Sequence, residues 1–216
     1  MTEPGIFSEA RELIQGGDRA AAVEKLVAAM PQLSPQFQHK AWSYAGLAFY
    51  FDQDWAEALK MFQRTAAEST VPEDWFNVAM SQARLGEIEA AHASWQRVFD
   101  LSYAHQDAPQ TSTLFEKKLM LAQLLYDVGA ADARGLDLLE RQLLPFFTNY
   151  HITDTHIWAS RGVPDFQEIM SLLRDYYRVL GKPEAEWRAL CDMVAEKVDP
   201  HGQEYCAGLG ANYSEQ

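Results

Sequence analysis

Residues 39–71 and 72–104 carry one pattern twice, end to end: Trp42 returns as Trp75, Ala58 as Ala91 and Phe62 as Trp95, each after 33 residues. A fixed period of that size marks a helical hairpin stacked on copies of itself, because a single hairpin cannot bury its own apolar stripe. The residue types fit such stacking. Ala45, Gly46, Ala58, Ala79 and Ala91 let helices approach closely, and the aromatics fill the gaps beside them.

The rest of the chain reads as helix too, since no run of four or more residues alternates cleanly like a strand between turn signals. A first hairpin is expected from Phe7 to Gln15 and Arg19 to Met30, broken at Gly16-Gly17-Asp18, where glycine ends one helix and Asp18 caps the next. The second hairpin runs from Ala41 to Phe51, turns at Asp52-Gln53-Asp54, and continues from Trp55 to Glu68. The third spans Pro72 to Leu85 and Glu87 to Leu101 around Gly86, with Pro72 at a helix start where its missing N–H costs nothing. A longer polar loop, Ser102 to Thr113, leads to a divergent hairpin over 111–147 and a nonrepeat insertion over 148–163. A last hairpin over 165–198 precedes a tail, 199–216, whose Gly202, Gly208 and Gly210 suggest fraying or extended docking. With 216 residues, 48% of them apolar, one continuous core and a single domain over 1–216 are expected.

The second copy holds Trp42, Ala45, Gly46, Phe49, Ala58 and Phe62. The third keeps Trp75, Val78, Ala79, Ala91 and Trp95, with Gln82 where a tyrosine would fall, and the first has Ile6, Ala10, Leu13, Ala22 and Leu26. Over residues 3–104, about half the chain, this resembles the tetratricopeptide repeat (TPR), whose pattern is W-x2-L-G-x2-Y, then A-x3-F, then P. The resemblance implies an all-α fold, a right-handed α-α superhelix or solenoid of about five helix-turn-helix hairpins. It also implies a scaffold or adaptor whose first helices line a concave groove that binds protein. Carried over by position, the groove receives Phe7 and Arg11, then Lys40, Ser43, Tyr44, Leu47, Tyr50 and Phe51. Phe76, Asn77, Met80, Ala83 and Arg84 follow, and then Met120, Gln123 and Tyr126.

The segment Ala41 to Phe51 is apolar nearly all round, with Trp42, Ala45, Ala48 and Phe49 on one face and Tyr44, Leu47, Tyr50 and Phe51 on another. One stripe suffices for stacking, so the second needs a cover. A peptide or amphipathic helix of a partner would anchor on Tyr44, Tyr50, Phe51, Phe76 and Met80, with Asn77 bonding its backbone. Alternatively the superhelix, the insertion or the tail covers the stripe, or a second copy of the chain does so in a homodimer. The basic clamp with which some TPR proteins hold a carboxylate-ended chaperone tail is incomplete here, with Phe7 and Arg11 in the first repeat and Tyr44 at the asparagine position.

Charge narrows the partner class. The formal charge of −13 comes from acids spread along the whole chain, and such a surface repels nucleic acid and anionic membrane. The first residues lack the basic-then-apolar pattern of a signal peptide, and Trp42 to Phe51 is too short to span a bilayer, so a soluble, cytoplasmic protein is expected. Cys191 and Cys206 read as reduced, structurally incidental thiols and not as a disulfide framework.

No phosphate loop, nucleophile motif or paired carboxylates occur, and neither enzymatic activity nor a cofactor is expected. The one constellation to weigh is His151, Asp154 and His156. A spacing of five sets the histidines on different helix faces and on opposite strand faces, so a metal site is the lesser reading. Asp154 or Thr153 capping a short helix through Trp158 is the plainer one.

Overall fold

Seven left-handed residues that follow helix ends by hydrogen-bonded turns punctuate an all-helical chain in the computed structural model, which describes residues 4–104, 113–159, 161–211 and 213. No strand occurs among the described residues. The chain divides into two compact units, Met1–Pro109 and Gln110–Gln216.

In the first unit, α1 (Ile6–Gln15) and α2 (Arg19–Ala29) lead through a 3-10 turn, Met30–Gln32, to α3 (Pro35–Phe51) and α4 (Trp55–Ala66). Then come α5 (Pro72–Arg84) and α6 (Ile88–Ala104). Each helix packs on the next, and α1 also meets α3. One turn design closes all three hairpins. Gly17, Gln53 and Gly86 donate to the carbonyls of Ile14, Tyr50 and Ala83, and Asp18, Asp54 and Glu87 donate to those of Leu13, Phe49 and Gln82. This is the Schellman ending, which needs a left-handed residue, and φ is 85° at Gly17, 64° at Gln53 and 78° at Gly86. Asp18 and Asp54 then accept the backbone N–H groups of Ala21 and Glu57, so the following helix starts at once.

Close approach of α3 and α4 depends on small residues. Ala41, Ala45, Gly46 and Ala48 are buried, and the Phe62 ring lies over Gly46. Burying Phe62, at 1% exposure, contributes roughly 2–3 kcal/mol. Successive hairpins meet in register: Lys40 Nζ stands 5.2 Å from the centre of the Phe7 ring, Arg11 Nη2 donates to the Tyr44 hydroxyl at 3.1 Å, and Arg19 pairs with Asp52 at 2.6 Å. Each of these pairs is 33 residues apart.

Two boundaries differ from expectation. Helix α3 begins at Pro35 rather than Ala41, because proline at a first helical position is already set to helical φ and Ser34 O accepts the Gln38 N–H. Helix α6 runs past Leu101 to Ala104; residues 105–112 of the expected loop lie outside the described residues.

The second unit starts with α7 (Leu114–Asp127), capped reciprocally by Thr113 and Glu116. A continuous helical run follows: α8 (Ala133–Asp137), a π-helical stretch Leu138–Leu143, and α9 (Leu144–Tyr150). The second arm of the divergent hairpin expected over 111–147 thus extends to Tyr150 and is locally widened. The widening precedes Pro145, which lacks an N–H and whose ring would crowd the carbonyl four residues earlier. The short α10 (Thr155–Ala159) leads to α11 (Phe166–Val179), α12 (Glu184–Ala195) and α13 (Pro200–Ala211).

Helix α13 corrects the expectation of a frayed or extended tail. Asp199 accepts the Gly202 N–H at 3.0 Å, Pro200 opens the helix, and Gly202, Cys206 and Leu209 are buried at i, i+4 and i+7. Packing on α12, where Trp187 Nε1 donates to Leu209 O at 3.2 Å, outweighs the poor helix propensity of three glycines. Among the described residues no helix is long and apolar enough to cross a membrane.

Candidate functional site

In the first unit, the stripe expected to line a groove is divided between packing and surface. Phe7 is fully buried, with the rings of Phe37 and Tyr44 at 5.8 and 5.9 Å and Lys40 Nζ over its face. Phe76 is buried beside Trp95, ring centres 6.4 Å apart, and Ala83 is buried. Phe7 and Phe76 therefore act as core side chains and not as groove anchors, since no ligand reaches a ring that its own neighbours enclose. Arg11, Lys40 and Tyr44 form a cation–aromatic cluster that covers Phe7. Leu47 and Tyr50 pack against the cluster of Ala58, Leu59, Phe62, Ala66 and Val78. Ser43, Asn77 and Met80 are partly buried.

What stays open is the turn end of α3. Phe51 is 55% exposed, edge-on to Tyr50 at 6.3 Å, and Tyr50 meets Trp55 edge-on at 5.0 Å. Guanidinium groups close both ends of this row: Arg19 lies 5.8 Å from the centre of the Phe51 ring, and Arg84 lies 5.4 Å from the centre of the Trp55 ring. Both arginines leave Nε buried without a hydrogen-bond partner, but they differ in charge pairing: Arg19 is neutralised by Asp52 at 2.6 Å, whereas Arg84 makes no ion pair among the described residues. In a chain with 31 acidic residues against 18 basic ones, the partly buried Arg84 guanidinium rests on the Trp55 ring.

Tyr126 belongs to the second unit, where its ring is 6.1 Å from that of Tyr176. Met120 is exposed, and Gln123 donates to Asp127 at 2.7 Å. Tyr176 donates to Ala122 O at 2.7 Å; burial, helped by Asp132 and Asp127, holds its phenol protonated well above the ordinary range. Burial also lowers the Lys118 ammonium, against the pull of Asp137.

The residues weighed as a metal site do not converge. His151 Nδ1 lies 2.5 Å from Lys197 O, while Asp154 accepts the His156 N–H at 2.8 Å and so caps α10. Among the described residues no three His, Cys, Asp or Glu side chains gather to hold a metal ion.

A cleft of about 500 Å³ opens along α11 and α13, lined by Arg174, His201, Glu204, Tyr205, Gly208 and Leu209. Sequence reasoning placed none of these in a site. A signal was present: Gln167 and His201, like Ser171 and Tyr205, are 34 residues apart, close to the period of the first half, and both pairs touch, at 3.2 and 2.7 Å. No family model matches the chain, and no curated protein matches it.

Proposed function

We propose that this chain is a TPR-like adaptor that acts by reversible protein binding, its hairpins stacked as a right-handed superhelix. The observation that carries the reading is the register of the first unit, where Phe7 meets Lys40, Arg11 meets Tyr44 and Arg19 meets Asp52 at one constant offset of 33 residues. A constant offset between successive hairpins is what stacking of equivalent units produces. The partner segment docks at the turn end of α3, laying an apolar side chain on Phe51 and presenting a carboxylate to Arg84.

The test is capture from native lysate with wild type, with the double variant Phe51→Ser and Arg84→Gln, and with Arg97→Glu as a control at an exposed position on α6. All should retain the same helical circular dichroism. A partner held by wild type and Arg97→Glu but lost by the double variant is the expected result. Equal retrieval by all three overturns the assignment of the surface.

A further inference from the structure

We propose that the cleft along α11 and α13 is a binding site for an α-amino acid with an apolar side chain, separate from the partner surface of the first unit. Gln167 pairs with His201 and Ser171 with Tyr205, and the same offset of 34 sets Arg174 beside Gly208, both of which line the cleft. Gly208 leaves room there, because a Cβ built on it meets no atom within 4 Å. Arg174 spends its Nε and Nη2 on Asp175, both at 3.2 Å, and the guanidinium has further donors to offer a ligand carboxylate.

Glu204 supplies the opposite charge. It stands one helical turn before Gly208, about 6 Å along the axis of α13. Arg174 and Glu204 line the same cleft, so the carboxylate and the ammonium of an amino acid each meet a side chain of opposite charge there. Tyr205 and Leu209 form the apolar wall, and the Tyr205 hydroxyl is already used on Ser171 and Gln167 O, which holds the ring as a fixed surface. At the far end Gln167 Nε2 lies 3.2 Å from His201 Nε2. A cleft of about 500 Å³ suits a small molecule and not a folded partner element. A single anion would face Glu204, and a simple cation would face Arg174; a zwitterion satisfies both.

The full chain is titrated with L-phenylalanine and with L-leucine, followed by calorimetry and by the amide resonances of residues 201–209. N-acetyl-L-phenylalanine, which lacks the ammonium, and phenethylamine, which lacks the carboxylate, are the paired probes. Saturable binding of at least one amino acid is expected, weakened about tenfold or more by removal of either charge or by Arg174→Gln. Gly208→Leu fills the cleft while improving helix propensity, and it abolishes binding without unfolding the chain. Absence of saturation into the millimolar range, or binding that Gly208→Leu leaves intact, overturns the proposal.

Discussion

The Phe62 ring occupies the space that a side chain on Gly46 would need: a Cβ on Gly46 would lie 2.5 Å from Phe62 Cε1. On an open helix surface, glycine to alanine gains about 1 kcal/mol of helix propensity. Here the added methyl must push an enclosed aromatic ring, which costs more than that gain. Gly46→Ala should therefore lose about 1–3 kcal/mol, read as a lower urea midpoint at unchanged slope. Adding Phe62→Leu should recover part of the loss, so that the double variant is more stable than the two single losses predict together. Strict additivity would show that the ring and the glycine do not constrain each other.

Gln53 performs with a side chain what glycine performs at the matching turns. Its φ of 64° is the left-handed conformation, and Gly17 and Gly86 hold that position in the neighbouring hairpins. A non-glycine residue pays steric strain there, while glycine brings a larger unfolded-state entropy, so the difference is modest. Gln53→Gly should stabilise the chain by about 0.5–1 kcal/mol, and Gly86→Gln should destabilise it by a similar amount. Thermal midpoints moving in opposite directions check both at once.

Those turns, and the hairpins they close, were legible because their signals are local: a turn residue, an acidic cap, a small residue every 33 positions. Helix α13 was not legible. Its three glycines argue against helix; the cap Asp199, one residue before it, was a local signal, but the Trp187 indole that donates to Leu209 O comes from α12. The groove was legible only by half. Periodicity told that Tyr44 and Phe7 lie on apolar faces, but a face does not name its cover, and in the fold Phe7 and Tyr44 cover each other. The cleft along α11 and α13 joins charged residues to Tyr205, Gly208 and Leu209, and its trace in the sequence is the offset of 34 between Gln167 and His201 and between Ser171 and Tyr205.

Cys191 and Cys206 sit at the contact of α12 and α13, both buried and free. Burial pushes the Cys191 thiol up to about 12, with nearby Cys206 adding to the effect, and pushes Cys206 up to about 11 from an ordinary 9.0. At mildly alkaline pH the thiolate of Cys206 is then roughly a hundredfold scarcer than in an exposed cysteine. Ellman's reagent should leave the native protein unmodified on a timescale of minutes and titrate two thiols once urea unfolds it. Rapid reaction of one thiol in the native state would show that α13 opens far more readily than its packing implies.

Asp199 ties the loop before α10 to the start of α13: its carboxylate accepts the Thr153 N–H and hydroxyl, each at 2.7 Å, and the Gly202 N–H at 3.0 Å. Burial alone would raise this carboxyl, but the three hydrogen bonds and the nearby His201 outweigh it and leave the group below its ordinary 3.8. A carboxyl depressed in the folded state stabilises the fold above its unfolded value, and that contribution is lost as pH falls through the folded value. Asp199→Asn keeps one acceptor oxygen and removes the charge, with an expected cost of about 1–2 kcal/mol at neutral pH. Because every other acid is common to both proteins, the difference between their urea stabilities isolates Asp199. That difference should hold from neutral pH down to mild acid and shrink below pH 3.8 as the wild-type carboxylate takes up its proton. A gap that stays constant to about pH 3 would mean that the amide loses a shape-dependent contact and that the charge of Asp199 contributes nothing.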